Sequence, residues 1–211
     1  MFDYQQITAA APVARLLLAH GAGAGKEHDF MQSLAAALVA EHIEVVLFNF
    51  PYMQTSQATG KRRPPDKGDK LMAHFTELAA HLTATLPPLP LFIGGKSMGG
   101  RIATLVANNI ECRGALAYGY PFHPPGKPEK TRVAHLPELT VPVRIIQGER
   151  DTFGNCADIA TYTLGPNVSV DFLADGDHSF KPRKSSGHSQ QEHIIAAAQL
   201  SAAFINGNLS S

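Results

Sequence analysis

Apolar positions along the chain fall into two kinds of run that alternate. Short, mostly apolar runs lie at 13–19 (VARLLLA), 44–50 (EVVLFNF), 91–93, 115–120, 141–147 and 168–173. Runs of this length bounded by Gly, Pro or charged residues predict strands buried on both faces. Between them the apolar residues recur every three or four positions. Phe30, Leu34 and Leu38 predict a helix over 28–42, and Leu71, Phe75, Leu78, Leu82 and Leu86 predict one that Asp69 caps and Pro87-Pro88 end. Ile102, Leu105 and Val106 give the buried side of a helix following residue 97, and a short helix is expected to end at Gly165-Pro166. Ser189 and Glu192 stand at capping-box spacing and open a final helix. The stretch 51–68, rich in Pro, Gly and basic residues, predicts a long loop after Pro51 stops the second strand.

Strands alternating with helices, with no connection short enough for a hairpin, predict an α/β architecture in three layers. The expectation is a mostly parallel sheet of about six strands with helices on both faces, forming one domain over residues 1–211. Right-handed crossovers then place every strand-to-helix loop at one edge of the sheet, where functional groups should collect.

The most informative of those loops is Gly95-Lys96-Ser97-Met98-Gly99, between an apolar strand and a helix rich in small residues. It fits G-x-S-x-G, the strained turn that lifts a serine hydroxyl above the sheet edge. Gly-Lys-Ser also echoes a phosphate-binding loop, but that motif requires glycine where this chain has Pro90, and a loop where Leu91 to Ile93 form a strand.

Serine is a weak nucleophile at neutral pH and needs an imidazole to accept its proton and a carboxylate to orient the imidazole. On a parallel sheet these partners follow the serine in the order acid, histidine, each just after a strand. Asp151 follows the fifth strand in QGERD, and His178 follows the sixth in GDHSF. Among the ten histidines His188 also follows the last strand and is the competitor; Glu149 and Asp158 compete with Asp151. An oxyanion needs two fixed N–H donors. Met98, at the start of the helix, supplies one; the loop His20-Gly21-Ala22-Gly23-Ala24-Gly25 supplies the other, from Ala22 first and Gly23 second. The glycine spacing of that loop places the third glycine one residue too early for a dinucleotide fingerprint.

Composition narrows the picture by exclusion. Hydrophobic residues make up 44% of the chain and its formal net charge is zero, so neither nucleic acid nor an anionic membrane surface is expected as a partner. Lys61-Arg62-Arg63 is a short local exception, expected to be solvated. Two cysteines, Cys112 and Cys156, make no disulfide framework, and no signal or membrane-spanning pattern is evident, so a cytoplasmic location is expected. No metal or organic cofactor is implied.

LLLAHGAGAG, GGKSMGGRIA, QGERDTFG and DGDHSF, in this order, resemble the small serine-type members of the alpha/beta-hydrolase superfamily. The likeness is greatest to the dienelactone-hydrolase-like branch, which includes testis-expressed and chromatin-complex relatives in animals, and it covers the chain from Val13 to the final helix. It implies a three-layer alpha/beta-hydrolase core with Ser97, Asp151 and His178 as catalytic triad. Two departures limit the transfer. Dienelactone hydrolases carry cysteine at the nucleophile, and the first two strands of the full fold are absent here or reduced to Phe2–Ile7.

The connection between the fourth and fifth strands is short and carries five prolines between Gly119 and Thr140, so the expected cap is minimal and the site open. Tyr52, Met53 and Phe122 are candidate wall residues. Lys96, Arg63 and Lys127 are candidates to attract an anionic group, with a solvated role expected for each. The resulting expectation is a serine hydrolase for a small or medium ester or thioester. The alternatives are a hydrolase-shaped scaffold, or an acyltransferase or peptidase using the same serine.

Overall fold

The computed structural model describes residues 2–209. Its centre is a seven-stranded sheet built from β1 (Tyr4–Ile7), β2 (Ala14–Ala19), β3 (Ile43–Phe48), β4 (Leu91–Lys96), β5 (Ala115–Tyr118), β6 (Val143–Gly148) and β7 (Val168–Leu173), in the order β1-β3-β2-β4-β5-β6-β7. All neighbouring pairs run parallel except β1 with β3. The alpha/beta-hydrolase fold expected from the sequence is therefore present, with one strand more than expected. The extra strand is β1, whose four residues pair with Val45 to Phe48 and cover the edge of β3.

Alternation along each strand divides the core in two. Leu16 and Leu18 on β2, and Val45 and Leu47 on β3, pack with α1 (Asp29–Ala40) and α6 (Gln190–Gly207) on one face. Leu17 and Ala19, with Val46 and Phe48, pack with α3 (Gly68–Thr85) and α4 (Met98–Val106) on the other. Both faces of β2 to β6 are buried, which is why these strands appear in sequence as mostly apolar runs, whereas the edge strands β1 and β7 are only partly covered.

The 51–68 region departs from expectation. Pro51–Thr59 form a helix, α2, with proline in its first turn and Gly60 in the left-handed conformation (φ 65°) just past its end. Tyr52 is its one buried residue, so the segment carries no apolar period to reveal it. Asp69 does not cap α3; Lys67 occupies that position, and Asp69 lies in the first turn, where its charge favours the helix dipole. The short helix α5 covers Cys156–Ile159 and ends well before Gly165-Pro166, with Asn155 and Asp158 forming its capping box. Ser189 and Glu192 form the second box, at the start of α6, as the sequence predicts. No helix among the described residues is long and apolar enough to cross a membrane.

At the starts of β2 and β3, Arg15 and Glu44 sit opposite one another and form an ion pair with both side chains 4% exposed. A second Arg15 nitrogen donates to the Pro87 carbonyl at 3.0 Å. Removing one partner of such a pair leaves a buried charge with no counterion. Glu44→Ala should accordingly lower unfolding free energy by about 3–5 kcal/mol, measured by urea denaturation, whereas the same change at the exposed Glu129 should leave the midpoint nearly unchanged.

Candidate active site

The site is built where the central strands end. β4 delivers Ser97 into a turn with φ 52° and ψ −115°, a positive φ that a side chain adopts only when its surroundings hold it there. The Ser97 N–H donates to Tyr118 O at 3.0 Å, and the Ser97 carbonyl accepts from Arg101 N–H at 3.0 Å. Gly99 shows why the turn needs glycine: a Cβ there would lie 2.5 Å from His20 O and 2.6 Å from Ala19 O. The start of α4 thus rests directly on the end of β2.

The three residues expected from chain order come together. His178 Nε2 lies 2.8 Å from Ser97 Oγ, and His178 Nδ1 lies 2.7 Å from Asp151 Oδ2. With a carboxylate at Nδ1, that nitrogen carries the proton and Nε2 is left to accept from the serine hydroxyl. Asp151 is fully buried and well supplied with donors: Gln147 Nε2 reaches Oδ2 at 2.9 Å and Phe153 N–H reaches Oδ1 at 2.8 Å. Burial holds the His178 imidazole below its ordinary pKa, against the upward pull of the Asp151 hydrogen bond. The phenyl ring of Phe153 covers the imidazole at 4.2 Å between centroids.

The competing residues are elsewhere. His188 packs against His193 at 5.4 Å between rings. Asp158 caps α5 and faces His123, and Glu149 accepts from Asp175 N–H at 2.8 Å.

The loop after β2 is fixed from behind. His20 is buried; its Nε2 accepts from Phe50 N–H at 3.1 Å, so Nδ1 bears the proton and donates to Gly21 O at 2.6 Å. Tyr52 Oη donates to Ala22 O at 3.1 Å and approaches Gly21 O at 3.4 Å. In a trans peptide the N–H points opposite to the preceding carbonyl. Turning the Gly21 and Ala22 carbonyls toward Tyr52 therefore turns the Ala22 and Gly23 N–H groups the other way. Met98 N–H, the first amide of α4, belongs to the set a helix cannot pair internally.

A cavity of about 400 Å³ opens beside the serine, lined by residues 21–24, His28, Phe30, Met31, Lys96, Ser97, Phe153, His178 and Ser179. A larger cleft of about 480 Å³, lined by Arg15, Leu82, Pro88 and Arg113, lies at the opposite end of β2 and β4. It is remote from the carboxyl edge at which sheets of this kind carry their chemistry. Of the expected wall residues none lines the 400 Å³ cavity: Phe122 is buried against Tyr120 and Tyr162, Tyr52 braces the β2 loop from behind, and the half-buried Met53 packs against the core. Arg63 and Lys127 are exposed, but Lys96 is buried and contradicts its expected solvation. Sequence reasoning missed Gln147 and Phe153, both inside or beside the QGERDTFG motif, and Phe30 and Met31, which are indistinguishable in sequence from core positions of α1.

A parallel sheet clad on both faces, with a serine in a strand-to-helix turn bonded to a histidine and a buried aspartate, defines the alpha/beta class of hydrolase-like folds. The chain belongs to the alpha/beta hydrolase family: the model of the Alpha/beta hydrolase domain matches residues 12–206. Solved structures agree in fold. Dienelactone hydrolase from Anabaena variabilis superposes with a TM-score of 0.72 at 19% identity, over 98% of this chain and 91% of that one. Est1E from Butyrivibrio proteoclasticus gives 0.73 at 12% identity, over 100% and 96%. An alpha/beta serine hydrolase without a lid from Xanthomonas campestris gives 0.70 at 16%, over 99% and 89%. A search of curated proteins found no match.

His20 links this geometry to stability. Burial pushes its pKa down to about 4, so the native chain keeps it neutral where the unfolded chain, titrating near 6.5, takes up a proton. Its contribution is present above about pH 6.5 and is lost as pH falls toward 4; His135, also held near 4 by burial, adds in the same direction. Urea midpoints should fall across that window, and His20→Asn should flatten part of the fall.

Proposed function

We propose that this protein is a serine hydrolase that cleaves a small to medium carboxylic ester or thioester through an acyl-enzyme on Ser97. One observation carries the reading: the Ser97, His178 and Asp151 side chains form a continuous hydrogen-bonded chain that opens onto a cavity. The printed names of the similar structures, which include a dienelactone hydrolase and a lidless serine hydrolase, accord with it.

In the first half-reaction Ser97 Oγ attacks the acyl carbon while His178 Nε2 takes the hydroxyl proton. Negative charge developing on the carbonyl oxygen is met by the N–H groups of Met98 and Ala22, each worth about 10²- to 10³-fold in rate. Collapse of the tetrahedral intermediate breaks the bond to the alcohol or thiol, which leaves with the proton from His178. Water then attacks the acyl-enzyme, again losing its proton to His178. The carboxylic acid departs, and the proton returns to Ser97.

Asp151 holds the imidazole in the tautomer these steps require, and Gln147 and the Phe153 amide hold Asp151. The reacting atoms come from three rigid turns after β4, β6 and β7.

A fluorophosphonate probe should label the native protein and fail on Ser97→Ala and His178→Ala. Turnover of a short acyl ester should fall by about 10⁶-fold in either variant, and retained labelling in Ser97→Ala ends the reading. Because His178 must be neutral to act and is held below its ordinary pKa, kcat/KM should rise with pH along a limb centred below 6.5.

A further inference from the structure

The buried cation of the site plays no part in the steps above. Lys96 is the last residue of β4, next to Ser97, and only 8% exposed. Its Nζ donates to the backbone carbonyl of His178 at 2.7 Å and lies 5.5 Å from the centre of the Phe30 ring. A lysine is rarely buried unless its charge is met, and the direct partners here are a carbonyl and a ring face.

The architecture gives this bond a purpose. His178 is carried by the turn after β7, an edge strand whose one neighbour in the sheet is β6. Ser97 is carried by β4, in the middle of the sheet and two strands away from β6. Nucleophile and base therefore sit on parts of the sheet that do not touch through the ladder. The Lys96 bond spans that gap and ends on the very residue whose ring must meet Ser97. The turn after β5 leaves room for it: Gly119 stands at φ 65°, and a Cβ there would lie 2.8 Å from Lys96 Nζ and 2.9 Å from His178 O.

The geometry points to Lys96 as a positioning residue that clamps the backbone of His178 to the central strand and so keeps the imidazole against Ser97. This assignment rests on the serine-hydrolase reading for its catalytic consequence, but not for its structural one. The charged groups acting here are Lys96 at the end of β4, Asp151 after β6, and Asp177 with His178 after β7; α1 contributes the uncharged Phe30 ring, and His28 lines the same cavity. The ammonium disfavours a second positive charge on His178, whereas Asp151 and Asp177 favour it. Burial brings Lys96 itself down to about 8, against the upward pull of Asp151 and Asp177.

Two variants separate the bond from the charge. Lys96→Met removes both, and Lys96→Gln keeps an N–H donor without the charge. The readouts are kcat and KM for a short neutral ester and the NMR titration of the His178 ring, assigned by its loss in His178→Asn. Lys96→Met should lower kcat by about 10- to 100-fold with KM within about twofold, and His178 should titrate at higher pH in both variants. Lys96→Gln should retain more of kcat than Lys96→Met. A folded Lys96→Met with native kcat, or with native His178 titration, overturns the assignment; if it does not fold, an unshifted titration in Lys96→Gln does so. The titration needs no turnover. An upward shift in a protein without esterase activity would leave Lys96 in place and end the hydrolase reading, while turnover without a shift would end the Lys96 assignment alone.

Discussion

The direct contact between the start of α4 and the ends of β2 and β4 is the constraint on which the site depends. A Cβ at Gly99 would collide with the carbonyls of Ala19 and His20, and one at Gly100 would lie 2.6 Å from Gly95 O. With no side chains between them, helix and strands approach closely enough to force Ser97 into its positive φ. The same contact decides where the unpaired amide of Met98 lies relative to the loop after β2. One steric condition thus places the hydroxyl, one candidate donor and the loop carrying the other.

Around that contact each polar group is held by a fixed partner. His20 is fastened to Phe50, the Gly21 and Ala22 carbonyls to His20 and Tyr52, and Asp151 to Gln147 and Phe153. Gln147 has every polar atom occupied: it accepts from Tyr120 N–H at 2.7 Å, and its two Nε2 hydrogens are shared among Tyr120 O, Gly154 O and Asp151. A buried amide satisfied in this way cannot rotate without losing several bonds, so the carboxylate it supports is held as rigidly as the sheet. Rigidity of this kind puts the ordering cost into folding rather than into each encounter with a ligand.

The legible part of the sequence was the part in which one physical rule acts alone. Mostly apolar runs gave the doubly covered strands, and the order of Ser97, Asp151 and His178 along the chain follows from parallel strands whose turns share an edge. What stayed hidden depends on tertiary packing. α2 has a single buried residue and therefore no period, and β1 exists because β3 offers it an edge. Lys96 was expected in solvent because lysine usually is; nothing local in the sequence records that the turns after β5 and β7 close over it. Phe122 illustrates the opposite error, an aromatic in the cap connection that the core absorbs beside Gly154.

The segment between β5 and β6 shows how the chain does without a helical lid. Tyr120 donates to Arg132 O, Arg132 N–H returns to Phe122 O at 2.7 Å, and His123 N–H bonds Phe153 O at 3.1 Å. These bonds fold the connection back onto itself and onto the turn that carries Asp151, instead of across the cavity. Its rigidity is thereby passed to Phe153, whose amide holds Asp151 and whose ring covers His178. The shielding that a lid would give the imidazole comes instead from a residue of the aspartate's own turn. Cover for the imidazole and support for the carboxylate are then a single structural event, and they can persist while the rest of the cavity stays open to solvent.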